Sequence, residues 1–284
     1  MIKKVVRIAR KVTCFFSVEL GSRIMYRVIM GKKLNLNPPC TFNEKIQYLT
    51  LFEYIDSQLA TNCADKYAVR EYIKSKGLQQ YLNDLYFVFN SVDEIDWDSL
   101  PQSFVLKCNH GCTYNILCPD KNNFDIEGAK KKLTKWMSED FSLVTAEPHY
   151  KHIKRKIICE KFLDSKIMDY KFFCFMGEPK FLYISQGIMH VDLKVSFFNL
   201  DGTKANFRRT DYEEIDGDIN LPENYDEMID IARKLSQDFK FARIDLFNVD
   251  NKIYFSEITL TPASGMMPLS PEEYDKRLGD MIEL

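Results

Sequence analysis

ARIDLFNVDNKIYFSEITLTPASGM, residues 242–266, reads as two apolar strands joined through Asp250-Asn251, a pair that suits a tight hairpin turn. Asp245 on the outgoing strand and Glu257 on the return lie at nearly equal distances from that turn, so they can face the same side. Two carboxylates pointing together from apolar strands repel unless something positive lies between them. A Mg²⁺ ion, held by one or two carboxylates and substrate phosphates, removes that cost. Arg243, two residues before Asp245, shares its face and can meet a phosphate bidentately. Thr259 stands two residues after Glu257, again on that face. The competing reading is a pair of solvated edge carboxylates. The flanking Ile244, Leu246, Phe255 and Ile258 argue instead for a partly buried hairpin and so favour the metal.

Outward from this hairpin the pattern repeats. SFVLKC (103–108), RKIICEKF (155–162), YKFFCFMGEPKFLYIS (170–185) and VSFFNLDGTK (195–204) are short apolar strands, two of them folded back at Gly177-Glu178 and Asp201-Gly202. Helical spacing predicts helices at about 126–139 and 224–239 between them. Before them, LYFVFN (85–90) is strand-like, and residues 41–76 read as helices in which Phe42, Ile46 and Leu49, then Tyr67, Val69, Tyr72 and Ile73, recur every three to four positions. Gly77 is the expected stop. No fixed-period repeat is visible. Helices mixed with antiparallel strands specify an α+β architecture and not a doubly wound parallel sheet.

Three further places carry chemistry. SFVLKCNHGCTYN puts Lys107 near a strand end, followed by a short polar loop with Gly111; a cation beside free backbone N–H groups can hold nucleotide phosphates, or the pair can be structural. RKIICEKFLD places Glu160 at the end of a β-branched run continued by Lys161, Phe162 and Leu163. Such a segment can offer main-chain groups to a flat base, or be a core strand with a polar end. In DYKFFCF, Asp169 and Lys171 share a strand face, which is also how a surface charge pair is built.

The 284 residues carry a formal net charge of −2 and are 45% hydrophobic, values of an ordinary globular chain. The balance argues against a dedicated nucleic-acid binder, which needs a basic face. Eight scattered cysteines, several in apolar runs, fit a reduced, cytoplasmic setting better than a disulfide framework. Cys108, Cys112 and Cys118 with His110 do not complete a zinc spacing. Residues 1–33 hold nine basic residues against the single Glu19, a surplus of eight, which leaves about ten net negative charges on the remaining 251. With Val5, Val6, Ile8, Val12, Phe15 and Phe16 between those charges, the segment is amphipathic and has neither a membrane-spanning run nor a secretory cleavage pattern. It is expected either to lie on the anionic inner leaflet or a membrane-bound partner, or to pack on the body with solvated lysines.

Taken in order, FNEK (42–45), DKYAVREY (65–72), FVLKCNHG (104–111), ICEKFL, DYKFFCFMGEP, ARIDLF and YFSEITLTPASG resemble the ATP-grasp superfamily, and in particular its TupA-like branch from bacterial cell-surface polysaccharide gene clusters. The resemblance implies two α+β lobes gripping ATP between antiparallel sheets, preceded by a helical N-terminal segment. It implies boundaries of 1–40 for the basic segment, 41–100 for a helical substrate region, 101–165 for the small lobe and 166–284 for the C-terminal lobe. Lys107 would contact the α/β-phosphates, under a loop through Asn109 and Gly111. Glu160, Lys161, Phe162 and Leu163 would form the adenine hinge, and Lys171, beside Asp169, would be a second phosphate ligand. Asp245, Glu257 and Thr259 would hold Mg²⁺, and Arg243 would stabilise the transferred phosphoryl group. Thr259 stands where the superfamily commonly has Asn. The implied reaction joins an amino acid or other amine to a carboxylate through an acyl phosphate, the carboxylate belonging to a uronic acid of a glycan or its precursor. Two alternatives use related groups. A glycosyltransferase would want a D-x-D-like motif, a string that Asp216-Gly217-Asp218 matches in a polar loop where a turn is the simpler reading, and a sugar kinase would want a base, nominally His190 or Asp192. Lys194, Lys204, Arg208 and Arg209 read equally as an acid-binding set or as solvated hairpin charges.

Overall fold

The computed structural model describes residues 10–163, 167–186, 193–217 and 219–284. Alternation in the strands divides the molecule into two antiparallel sheets with separate cores. The first contains β1 (Leu85–Phe89), β2 (Phe104–Cys108), β3 (Asn115–Cys118) and β4 (Ile157–Lys161) in the order β1-β4-β2-β3. Phe104, Leu106, Cys108 and Cys159 point to one side and meet Ala129 and Leu133 of the helix Ile126–Ser138. Asp125 starts that helix by accepting the Gly128 N–H at 2.8 Å.

The second sheet runs β10-β9-β5-β6-β7, with β5 (Met168–Phe175), β6 (Glu178–Gln186), β7 (Lys194–Asn199), β9 (Phe241–Val249) and β10 (Lys252–Thr259). A two-residue ladder joins β8 (Arg208–Arg209) to β11 (Leu269–Ser270). Even-numbered residues of β5 and β9, among them Phe172, Ile244 and Leu246, face the helix Tyr225–Ser236, whose Met228, Ile231 and Leu235 supply the matching stripe. Odd-numbered residues make the other face. At one end Phe173, Phe175 and Phe241 pack around Phe42, with ring centroids at 6.4, 6.0 and 5.1 Å. At the other end the same face carries Asp169, Lys171, Arg243 and Asp245. One periodicity of two thus builds a core and a polar site on a single surface.

FNEK is a structural staple. Thr41 and Glu44 form a reciprocal capping box for the helix Phe42–Tyr48. Asn43 donates to Met267 O at 2.9 Å and Asp275 Oδ1 at 2.9 Å and accepts the Met267 N–H at 2.6 Å. Lys45 Nζ donates to Ile282 O at 2.8 Å. These bonds fix the chain on both sides of β11 to the start of the core.

The predicted hairpins are present at all three turns. Asp250 and Asn251 both adopt positive φ, 51° and 60°, the geometry whose twist matches paired strands. The segment 41–76 holds three α-helices, Phe42–Tyr48, Gln58–Ala64 and Val69–Ser75, with a wider turn at Leu49–Glu53. Gly77 takes φ 68° just beyond the third, as a helix stop requires. Tyr67 departs from the expected apolar face and is exposed. β1 pairs with β4, so the first sheet draws a strand from within the span 41–100. β3 was not legible as a strand because its four residues, Asn-Ile-Leu-Cys, alternate in burial but not in polarity, with the apolar Leu117 exposed.

Residues 10–16 and 18–30 of the N-terminal segment are helical. The helix Val18–Met30, capped by Ser17 and closed by Gly31, buries Met25 and Tyr26 with Leu34, Leu36, Leu51 and Met266. Among the described residues no helix is long and apolar enough to cross a membrane.

Candidate active site

The two sheets face each other across a cleft lined by Lys107 and Glu160 from the first, Phe255 and Ser256 from the second, and Lys66, Val69, Arg70 and Leu82 from the helical region. Lys107 lies one residue from the end of β2, where strand alternation turns it away from the core. Its Nζ reaches Glu160 Oε2 at 2.7 Å, and Arg70 Nη1 holds the other carboxylate oxygen at 3.3 Å. Arg70 also donates to Asn83 O at 2.9 Å.

Across the cleft the ladder register sets a row of side chains. Glu257 stands opposite Asp245, Asp245 opposite Lys171, and Lys171 opposite Tyr183. Arg243 Nε and Nη2 grip Asp245 at 2.7 and 2.6 Å, while Arg243 Nη2 also reaches Thr259 Oγ1 at 2.9 Å. Lys171 Nζ donates to Asp245 Oδ2 at 2.8 Å and also to Asp169. Burial by itself raises the Asp245 carboxyl, but Arg243 and Lys171 outweigh it and hold the group below the usual carboxylate range. For Asp169 burial wins and the carboxyl is raised, Lys171 offsetting only part of the effect and Asp245 adding to it. Lys171 loses charge stability to burial but more than regains it from Asp169 and Asp245, which push it up. The cluster is a largely buried network of two cations and two carboxylates, in which Asp245 is satisfied by both cations while Asp169 Oδ1 has no hydrogen-bond partner.

Lys66 links the two halves. Its Nζ donates to Gly111 O at 2.7 Å and stands 3.9 Å from Glu257 Oε1. The loop that follows β2 is thereby tied to the edge of the second sheet.

Most sequence-predicted site residues converge here: Lys107 and Glu160 on one side, Asp169, Lys171, Arg243, Asp245, Glu257 and Thr259 on the other. Gly111 meets them through Lys66. Asn109 is different. It is fully buried, its amide donates to Asp65 Oδ1 at 2.8 Å and Lys154 O at 3.0 Å, and its carbonyl accepts the Lys156 N–H at 2.7 Å. Within the loop expected to close over the phosphates, the Asn109 side chain anchors the chain from inside. The main chain of Lys161 is also occupied, its N–H by Asp84 O at 2.9 Å and its carbonyl by Asn83 at 2.9 Å, so the hinge expected at that residue is already paired within the protein. Phe162 and Leu163 follow β4 half-buried.

The donor chemistry fits Mg²⁺. Asp245 and Glu257 are hard-oxygen ligands directly across a ladder, with Thr259 two pairs further along on the same face. Among the described residues no three His, Cys, Asp or Glu side chains converge as a ready cage. The oxygens of Asp245 are shared with Arg243 and Lys171, so metal binding there would compete with these cations.

The cysteines are free thiols, and His110 Nε2 lies 3.0 Å from Trp136 O. The basic set is engaged internally: Lys194 with Asp216 at 2.5 Å, Lys204 with Glu214 at 3.1 Å, Arg208 with Glu214 at 4.0 Å and Arg209 with Asp211 at 2.6 Å. Solvated hairpin charges describe Lys194, Lys204 and Arg208 better than a free acid-binding surface. Asp216 is thus a salt-bridge partner, while Asp218, His190 and Asp192 lie outside the described residues.

Sequence reasoning missed Lys66, Arg70 and Glu147. Lys66 lies in the turn before the helix Val69–Ser75 and Arg70 in that helix's first turn, both lining the cleft, and Asp65 braces the turn by accepting the Tyr67 N–H at 2.8 Å. Glu147 had no readable signal. It is buried under the strand-end loop, accepts from the Thr261 hydroxyl and from Ser264 Oγ at 3.4 Å, and burial raises its carboxyl. It pins TPASG, where Ala263 and Ser264 both take φ 51°.

A family model described as TupA-like ATPgrasp matches residues 44–283. Among solved structures, the chain is similar to a D-alanine–D-alanine ligase from Bacillus anthracis complexed with ATP, at 16% identity and a TM-score of 0.47, over 78% of this chain and 65% of that one. An L-amino acid ligase from Bacillus licheniformis is similar at 14% identity and a TM-score of 0.43, over 72% and 45% of the two chains. An N5-carboxyaminoimidazole synthase from Aspergillus clavatus, in complex with ADP and 5-aminoimidazole ribonucleotide, is similar at 13% identity and a TM-score of 0.43, again over 72% and 45%. The chain spans less than two thirds of the length of each of these structures. No curated protein matches it.

Proposed function

The chain belongs to the TupA-like ATP-grasp family, and on that premise we propose that it is an ATP-dependent carboxylate–amine ligase. The observation that carries this reading is the cation arrangement: Lys66, Arg70 and Lys107 line the cleft, while Lys171 and Arg243 stand on the facing sheet beside Asp245 and Glu257. A polyphosphate brings several negative charges into a partly desolvated space, and cations held in advance by a rigid scaffold neutralise them without reorganisation.

In this reading Lys107 and Lys66 bind the phosphate chain, with Glu160 and Arg70 fixing the position of Lys107. Asp245 and Glu257, with Thr259 beside them, hold Mg²⁺, which supplies charge neutralisation at the terminal phosphates. Arg243 and Lys171 face the phosphoryl group in transfer. An oxygen of the acceptor carboxylate attacks the γ-phosphorus, the bond to the bridging oxygen of ADP breaks, and an acyl phosphate results. A neutral amine then attacks the acyl carbon, phosphate leaves with the C–O electron pair, and the amine's proton is lost to solvent. The balance is ATP, carboxylate and amine to ADP, phosphate and amide. The chain's tasks are to align the groups and exclude water from the acyl phosphate. We assign the acceptor to the uronic-acid carboxylates of a cell-surface polysaccharide or its precursor, and the donor to an amino acid or other amine. Family context supports that choice of substrates.

The test is a panel of uronic acids and amines scored for Mg²⁺-dependent phosphate release, followed by ¹⁸O-labelled carboxylate in the active pair. One labelled oxygen appearing in phosphate together with amide product supports the reading. ADP with a phosphorylated sugar and no amide identifies a kinase, and transfer from a nucleotide sugar identifies a glycosyltransferase.

A further inference from the structure

The helix Val18–Met30 turns only one side toward the protein. Gly21, Ser22, Met25 and Tyr26 are buried, whereas Leu20, Ile24 and Val28, spaced four apart on the opposite side, are 49%, 40% and 60% exposed. The preceding helical turn, residues 10–16, adds Val12 at 53%, Phe15 at 74% and Phe16 at 80%. Six large apolar side chains on one short segment are far more than the scattered exposure that a surface normally shows.

This exposure is built into the fold, because the segment is fastened from behind. Arg10 Nη1 donates to Val144 O at 3.0 Å, and Arg23 Nη1 donates to Leu34 O at 3.1 Å. Cys14 is buried against Gly21, where a Cβ would fall 2.4 Å from the Cys14 sulfur, so the glycine is needed for the two turns to pack. The apolar side chains therefore point outward from an anchored element.

Charge identifies what covers them. Arg27 and Lys33 are exposed beside the stripe, and residues 1–33 carry a surplus of eight positive charges while the remaining 251 residues are net negative by about ten. An anionic surface attracts this segment and repels the rest of the molecule, which orients it. The helix, at 13 residues, is too short to cross a bilayer but suits the interface plane. We propose that this face docks on an anionic lipid bilayer, with Phe15, Phe16, Leu20, Ile24 and Val28 entering the headgroup boundary and Arg27 and Lys33 on lipid phosphates.

The test is co-sedimentation of the full chain with phosphatidylcholine vesicles containing about one third phosphatidylglycerol, against pure phosphatidylcholine. The wild type is expected to pellet with the anionic vesicles and to partition about tenfold less onto neutral ones or at high salt. Leu20→Glu combined with Ile24→Glu and Val28→Glu is expected to stay in the supernatant with an unchanged melting temperature. Arg27→Glu with Lys33→Glu serves as a second variant that leaves the apolar stripe intact and weakens only the anionic-vesicle binding. Wild type that ignores anionic vesicles, or variants that pellet equally, would overturn the proposal, as would a dimer abolished by the triple substitution without any vesicle binding. Affinity for Mg²⁺–ATP, measured on the same samples, reports on the ligase reading separately.

Discussion

Lys66 Nζ stands 3.9 Å from Glu257 Oε1 while donating a 2.7 Å hydrogen bond to the Gly111 carbonyl, so one side chain from an interhelical turn bridges the loop after β2 and the second sheet. The contact places a cation between the loop after β2 and the carboxylate edge of β10. A bound phosphate would meet the same ammonium group.

Lys66→Ala is expected to weaken ATP binding about 10- to 100-fold, the loss of one charge-assisted contact. Lys66→Arg should restore part of it. Calorimetry with a melting curve on each variant checks this, and unchanged affinity in a folded Lys66→Ala protein would remove Lys66 from the site.

Asp245 is the keystone of the charge network. Asp245→Asn leaves Arg243 and Lys171 without their buried partner and is expected to cost about 3–5 kcal/mol of stability. Since the folded carboxyl lies below its ordinary value of 3.8, its contribution is present above that pH and is lost as pH falls through the depressed folded value. Urea unfolding should therefore show the gap between wild type and Asp245→Asn closing below about pH 4.

His149 is buried against Tyr54 and Tyr150, at centroid distances of 6.2 and 4.6 Å, and burial pushes its imidazole from 6.5 down to about 3. The folded protein keeps this ring neutral, while the unfolded chain takes up a proton below 6.5. Stability is thus full above that pH and declines as pH falls toward 3, by at most about 1.4 kcal/mol per pH unit. Chemical denaturation at pH 7, 6 and 5 should give a shallower slope for His149→Gln than for wild type. Equal slopes would mean the ring is protonated in the fold.

Asn109→Ala removes a buried side chain that serves Asp65, Lys154 and Lys156 at once. The expected loss is about 2–4 kcal/mol of stability, because three backbone or carboxylate partners are left inside without a bond. ATP affinity of the folded fraction should fall less than in Lys107→Ala, which separates an anchor from a ligand.

Much of this was legible in the residues. Strands β5, β6, β9 and β10 announce themselves by alternation and turn chemistry, and the hairpin arithmetic that set Asp245 against Glu257 is the observed register. What stayed hidden depends on contacts between distant segments. Asn109 sits in a loop of the right composition for phosphate binding, and only the approach of Asp65 and Lys154 turns it inward. Glu147 lies in a stretch with no period, and its burial follows from the loop after β10 folding over it. Lys66 sits in a turn and Arg70 in the helix that follows it, and the sequence does not say which way either faces. For the basic N-terminal segment, composition left two readings open. The fold packs one face of the helix Val18–Met30 on the body and leaves the other apolar and exposed.

The most direct test of the central claim is calorimetric binding of ATP, with and without Mg²⁺, to the wild type, Glu257→Gln and Lys107→Ala, each checked for folding. The account predicts Mg²⁺-dependent binding by the wild type and loss of affinity in both variants. Folded wild type that ignores ATP while binding a nucleotide sugar would contradict it.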